Sequence, residues 1–291
     1  MSAFQRFRLD NRKPAYEIPP SSCDCQVHVY GDLARYPIRP DSAYTPYTDA
    51  TVDAALEMHR TLGISRGVIV QATVHGTDHR ILFDALKSAG PTYRGVAIVN
   101  DNVSDEELAR LHEAGVRGAR FNFWKQLNIA PSADEFRRSI RRIGQYGWLV
   151  KVHNAGEAWL EIEDLLSETK LPVVIDHLGH VDLSKGVDQP VCKMFWRLIE
   201  RGNFWMMASN SDRYSVQERM WDDAIAFVRT VIERIPERTI WCTDWPHVQY
   251  RKPMPTDTEL IELLCQATPD LALRWKVLAE NPAQLFGIGD S

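Results

Sequence analysis

Eight short runs rich in Val, Ile and Cys recur along the chain, each followed by a turn and then an amphipathic stretch. The runs are CDCQVHVY (23–30), GVIVQAT (67–73), RGVAIVN (94–100), VRGARFNF (116–123), WLVKVHN (148–154), PVVIDHL (172–178), NFWMMAS (203–209) and RTIWCTD (238–244). Between and after them the spacing predicts helices over 50–62, 78–89, 104–114, 134–146, 157–168, 190–201, 217–234 and 257–280. Alternation of this kind calls for parallel strands joined by crossover helices. Eight strands with eight helices select a closed (β/α)₈ barrel, the TIM-barrel class of α/β fold. A doubly wound open sheet would need a Gly-rich first turn, and no GxGxxG follows the first run. The expected organisation is one barrel domain over 21–291, preceded by a polar arm over 1–20 that ends in Pro19-Pro20. Residues 31–48, rich in proline and tyrosine, are expected to form a long loop over one end of the barrel.

Composition narrows the function classes. The 44% hydrophobic content leaves ample material for a core. A net charge of −5 with no dense basic run argues against nucleic-acid partners. No apolar run approaches the roughly 18 residues of a membrane span, and the first residues lack the apolar core of a secretion signal. A cytoplasmic location is therefore expected, and self-association is left open. The five cysteines include no CxxC pair and read as small core residues in a reducing compartment.

Barrel enzymes do their chemistry at the C-terminal ends of strands, so the titratable residues ending each run are the candidates. Run one ends with Gln26 and His28, run four with Arg120 and Asn122, and run five with His153. Run six ends with Asp176 and His177, run seven is followed by Asn210 and Arg213, and run eight by Asp244 and His247. Six of nine histidines (His28, His75, His153, His177, His180 and His247) fall at or near such ends, which points to one shared site. Asp244, among cations and imidazoles, is the candidate general base toward water. His28 and His177 are candidate N–H donors, or cations, toward a carbonyl oxygen that gains charge under attack. Arg120 and Arg213 present planar forks that match a carboxylate, implying an acidic substrate, and Tyr44, Thr73 and Asn122 would add neutral hydrogen bonds. Trp124, Trp205 and Trp245 read as packing.

The segments DCQVHVYGD, VIVQATVHGTD, GVRGARFNF, VVIDHLGH and WCTDWPH resemble, in order and over almost the whole length after residue 20, the 2-pyrone-4,6-dicarboxylate lactonase branch of the amidohydrolase superfamily. The resemblance implies metal-free hydrolysis of a cyclic ester bearing carboxylates. It places that branch's histidines on His28 and His177, its base on Asp244, and its substrate contacts on Tyr44, Thr73, Arg120, Asn122 and Arg213. The chain departs from the branch in four places. Gln26 stands where the first histidine of a His-x-His is expected, Gln126 and His180 where arginines are expected, and His153 where tyrosine is expected. These changes imply a substrate with less anionic charge, or a different anionic group.

The Gln26-x-His28 pair is also similar to the galactarolactone isomerases of the same superfamily, which by resemblance carry asparagine at the Asp244 position. Retention of Asp244 favours hydrolysis. Many barrels of this superfamily hold one zinc or manganese ion through the His-x-His pair, another histidine and the strand-eight aspartate. Gln26 breaks that set, although His28, His153, His177 and Asp244 still leave four candidate ligands. The readings in contention are a metal-free lactonase, a lactone isomerase, a metal-dependent decarboxylase or hydratase, and a non-catalytic binding protein.

Overall fold

The computed structural model describes residues 5–289, so residues 1–4 of the expected arm and residues 290–291 lie outside the described residues. Eight parallel strands stand in chain order: β1 (Cys23–Val27), β2 (Arg66–Val70), β3 (Tyr93–Ala97), β4 (Val116–Asn122), β5 (Leu149–His153), β6 (Val173–Ile175), β7 (Phe204–Met207) and β8 (Thr239–Ile240). Backbone hydrogen bonds close the ring between its first and last members. Cys25 N donates to Trp241 O at 3.0 Å, and His28 N to Trp245 O at 2.8 Å. The result is the expected barrel of eight parallel strands alternating with helices.

Each expected run holds one strand, but all except β4 and β5 stop early at the mouth. The last, expected over 238–244, pairs only at Thr239–Ile240. Past that point the chain turns outward and the ladder gives way to irregular backbone or tight turns such as Thr73–His75 and Asp176–His180. The outer layer comprises α1 (Val52–Leu62), α2 (Arg80–Ala89), α3 (Asp105–Glu113), α4 (Ala133–Gly144), α5 (Glu163–Ser167), α6 (Pro190–Glu200), α7 (Ser211–Tyr214), α8 (Asp222–Arg234), α9 (Asp257–Ala267), α10 (Leu271–Trp275) and α11 (Asn281–Phe286). Helices α4 and α9 begin with reciprocal capping boxes, Ser132 with Glu135 and Thr256 with Glu259. The helix expected over 257–280 is split at Pro269, which disfavours helix in the residue before it, and Asp270 caps the next segment by accepting from Ala272 N. The helix expected over 217–234 starts only at Asp222, and the stretch over 157–168 opens as a 3₁₀ turn.

Two apolar cores result. Cys23, Cys25, Val68, Val70, Val96, Leu149, Val174, Met207 and Ile240 fill the bore, whose cluster also includes Phe286 and Ile288 from the C-terminal segment. The larger core lies between strands and helices. Each fully buried aliphatic side chain there contributes about 1.5–3 kcal/mol. All five cysteines are buried and unpaired. Among the described residues no helix is long and apolar enough to cross a membrane.

Candidate active site

A cavity of about 450 Å³ opens at the C-terminal ends of the strands. It gathers His28, Tyr44, Thr73, Arg120, Gln126, His153, His177, His180, Arg213 and Asp244 from the sequence-predicted set. Tyr44 comes from the long 31–48 segment, which contains only turns and bends.

Gln26 lies at the base of this cluster because β1 breaks its alternation. Cys23 and Cys25 point into the bore, and a register shift between Asp24 and Val27 then sends Val27 to the outer core. A bulge of this kind re-aims side chains, here Gln26 and His28 toward the mouth. The buried Asp24 carboxylate pins the seam by accepting from Gln26 N and Thr243 N, both at 3.1 Å.

The Gln26 side-chain nitrogen lies 2.6 Å from Asp244 Oδ1, 3.0 Å from His177 Nε2 and 3.3 Å from His28 Nε2. An amide nitrogen has two hydrogens for these three acceptors, so the longest contact, to His28, is the one left weakest. His28 Nδ1 donates to Val70 O at 2.7 Å. In the neutral ring this leaves Nε2 as a lone pair, so His28 faces the site as an acceptor and not as the N–H donor expected from sequence. His177 Nδ1 meets Ser209 Oγ at 2.9 Å. Burial holds His28 down to about 4, with Arg120 adding to the effect, and holds His177 well below the usual imidazole value.

Asp244 sits just past β8 with φ 63, a left-handed conformation that Asp tolerates better than most residues. Burial pushes its carboxyl up, but His177, His28, Arg213 and a hydrogen bond from Asn210 outweigh this and hold it far below the ordinary carboxylate range. Asn210 Nδ2 donates to Oδ2 at 2.9 Å, and Arg213 Nη2 lies 3.8 Å away. Asp244 is therefore ionised at neutral pH, 3.6 Å from each of the two imidazole Nε2 atoms. His177, Leu178, Gly179 and His180 form a run of positive φ, from 50 to 68. A Cβ at Gly179 would lie 2.3 Å from the Phe195 ring, so glycine is required where this run crosses α6.

The opposite wall is built for holding. Arg120 Nε donates to the fully buried Asp176 at 3.1 Å, and Lys151, also fully buried, pairs with the other Asp176 oxygen. Two cations sharing one carboxylate leave net positive charge beneath the cavity. Arg213 is fixed by donation to Val248 O at 3.1 Å and by stacking over Tyr250 at 4.8 Å. Next to these lies a neutral aromatic face, in which Trp124 meets His153 and His180 edge-on at 5.5 Å each. His180 shares a hydrogen bond with Tyr214 through Nδ1, and its buried Nε2 has no protein partner. Burial, then Arg213, hold His180 down to about 3, and burial holds His153 well below the usual value.

Three expected residues sit elsewhere. His247 turns away and meets the buried Asp257 at 2.9 Å. Asn122 lines an adjoining cavity and reaches this site only through His153 Nδ1, 3.0 Å from its Oδ1. His75 lines that adjoining cavity as well, with Nδ1 at 3.1 Å from Pro37 O. Trp124, expected as packing, lines the cavity, whereas Trp205 and Trp245 are buried. Sequence reasoning missed Tyr214 and the stretch Val248–Lys252. Proximity to Arg213 was a usable signal for Tyr214; nothing in the sequence pointed to the other stretch.

The donor set of a metal-binding barrel does not fit here. The space between the two imidazole nitrogens and the Asp244 oxygen is filled by the Gln26 NH₂, which offers hydrogens where an ion would need an unhindered centre. Among the described residues no group of three or more His, Cys, Asp or Glu side chains is arranged to hold an ion.

Comparison with known proteins agrees with this architecture. The amidohydrolase family model matches residues 23–288. A 2-pyrone-4,6-dicarboxylate hydrolase of Comamonas testosteroni is 37% identical over 94% of this chain and 92% of its own length. A 4-sulfomuconolactone hydrolase of Rhizobium radiobacter is 34% identical, again over 94% and 92%. A crystal structure of an Agrobacterium tumefaciens protein superposes with a TM-score of 0.84 at 28% identity, covering 96% of this chain and 100% of that one.

Proposed function

The chain belongs to the amidohydrolase family, and from that membership we propose that it is a hydrolase that opens a small carboxylated lactone with water and without a metal ion. The observation that carries this reading is the ionised Asp244 carboxylate at the floor of the cavity, hydrogen-bonded to Gln26 and flanked by two neutral imidazoles.

In the proposed reaction a water held by Asp244 loses a proton as its oxygen bonds to the lactone carbonyl carbon. Because Asp244 is a weak base, the proton is shared with the Nε2 lone pairs of His28 and His177, and the three groups act as one acceptor. Imidazoles held this acidic become strong donors once protonated. The imidazolium and a Gln26 N–H stabilise the oxyanion. The ring C–O bond then breaks, and the leaving oxygen takes the proton. One water is consumed, and one carboxylic acid and one hydroxyl or enol are formed.

Arg120 and Arg213 are placed to hold the substrate carboxylate, with Tyr44 and Thr73 adding neutral hydrogen bonds. The uncharged face of Gln126, His153, His180 and Trp124 favours a substrate with fewer anionic groups than a pyrone dicarboxylate. Lactone isomerisation is a second reading, motivated by the Gln26-x-His28 pair. It needs a substrate hydroxyl in place of water as nucleophile, and the ionised Asp244 favours water.

NMR of carboxylated lactones mixed with chelator-treated, metal-assayed protein tests both readings. The expected outcome is direct conversion to the open-chain acid. A new ring species formed before any acid would select the isomerase, and turnover that needs added zinc or manganese would refute the metal-free route.

A further inference from the structure

One side of the cavity rim hangs on the segment between β8 and α9, which supplies Asp244 and the stretch Val248–Lys252 and contains no regular helix or strand. Three of its non-glycine residues are left-handed: Asp244 at φ 63, His247 at 58 and Gln249 at 58. Such residues persist only where the surroundings over-determine them. Part of those surroundings comes from the far end of the chain.

The N-terminal arm meets this segment at two places and the first residue of α9 at a third. Gln5 N donates to Tyr250 O at 2.7 Å in an antiparallel bridge, and Gln5 O accepts from Tyr47 at 2.8 Å. The buried Phe7 ring meets Trp245, the residue after Asp244, edge-on at 5.2 Å, and its other neighbour is Tyr47 at 5.6 Å. Asn11 Nδ2 donates to Asp257 Oδ2 at 3.0 Å, and the other oxygen of that carboxylate holds His247 at 2.9 Å. Direct contacts at 245 and 250, and a relayed one that reaches 247 through Asp257, thus lie beside the strained residues at 244, 247 and 249. Farther along, the arm follows α9, where Arg12 pairs with Glu262 at 2.8 Å, away from the rim.

We propose that Phe7 and Asn11 are positioning residues, through which the N-terminal arm holds the Asp244 loop in its reactive shape. Neither touches the cavity, so both act through Trp245 and His247. The arm thereby works as part of the active site.

The test pairs hydrogen exchange with lactone kinetics on the full chain and on Phe7→Ala, Phe7→Leu, Asn11→Ala and Arg12→Ala. Phe7→Ala and Asn11→Ala are expected to speed exchange over residues 244–250 while β2 to β5 keep their protection. With them kcat should fall by about 10- to 100-fold, the size of effect expected from a misplacement near 1 Å. Phe7→Leu should restore most of the rate, and Arg12→Ala should match the parent. Unchanged exchange over 244–250, or a rise shared equally by β2 to β5, would overturn the proposal, because the arm would then be idle or would serve the whole fold. Asn11→Ala removes only a half-buried side chain, so it keeps the comparison readable if Phe7→Ala unfolds.

Discussion

Strands β4 and β5 carry their ladder up to the mouth, pairing from Gly118 with Leu149 to Asn122 with His153, whereas β7 and β8 pair only at two positions. Arg120 and His153 therefore sit on regular paired strand. On the other side His177, Asn210 and Asp244 sit just beyond their strands in left-handed conformations. Arg120, which would hold the substrate, and His153 beside it rest on a rigid ladder. Asp244 and His177, which would move protons, rest on backbone that costs about 1–2 kcal/mol per residue to maintain.

That division implies that damage to the strained half shows in kcat and damage to the regular half in KM. The largest effect is expected from Asp244→Asn, which keeps the shape and removes the proton acceptor. Steady-state kinetics should show kcat lower by about 10²- to 10⁴-fold with KM little changed, and a shift confined to KM would break the division. Arg120→Lys keeps the charge but loses the planar fork, so KM should rise about 10- to 100-fold with kcat nearly intact. A pure kcat loss in that variant would place Arg120 with the reacting groups.

The smallest effect is one of pH on stability, and it samples both halves. His28 is held at about 4 and His180 at about 3, below the usual 6.5, so the unfolded chain binds more protons than the native one between those values. Stability from these neutral imidazoles is complete above pH 6.5 and is lost as the pH falls toward 4 and 3. Calorimetry should show Tm several degrees lower at pH 4.5 than at pH 7. A flat Tm across that range would mean that the imidazoles are already charged in the fold.

Much of this could be read before any coordinates, for unequal reasons. The strand-helix alternation is a periodic signal repeated eight times, so local errors such as the break at Pro269 did not disturb the fold class. Asp244, His28 and Arg120 were legible because strand ends in a barrel converge. His247 was misjudged for the same reason: it follows a strand end, but its left-handed backbone swings the ring to Asp257. Gln26 was visible as an amide in an unusual place. That its NH₂ group fills the centre of the site depends on a bulge, which sequence alternation alone cannot reveal. Tyr250 and its neighbours reach the cavity through a loop with no period to read.

Beneath the reactive groups the bore is packed with apolar side chains, threaded by the ion pair of Lys151 with Asp176, and its cluster takes in Phe286 and Ile288. The cavity is therefore closed toward the bore. A ring-opened product, longer and more flexible than the lactone and bearing a new carboxylate, must leave at the same face of the barrel by which the next lactone enters. Occupancy by the two is mutually exclusive, and accumulated product would slow the reaction by standing in its entrance.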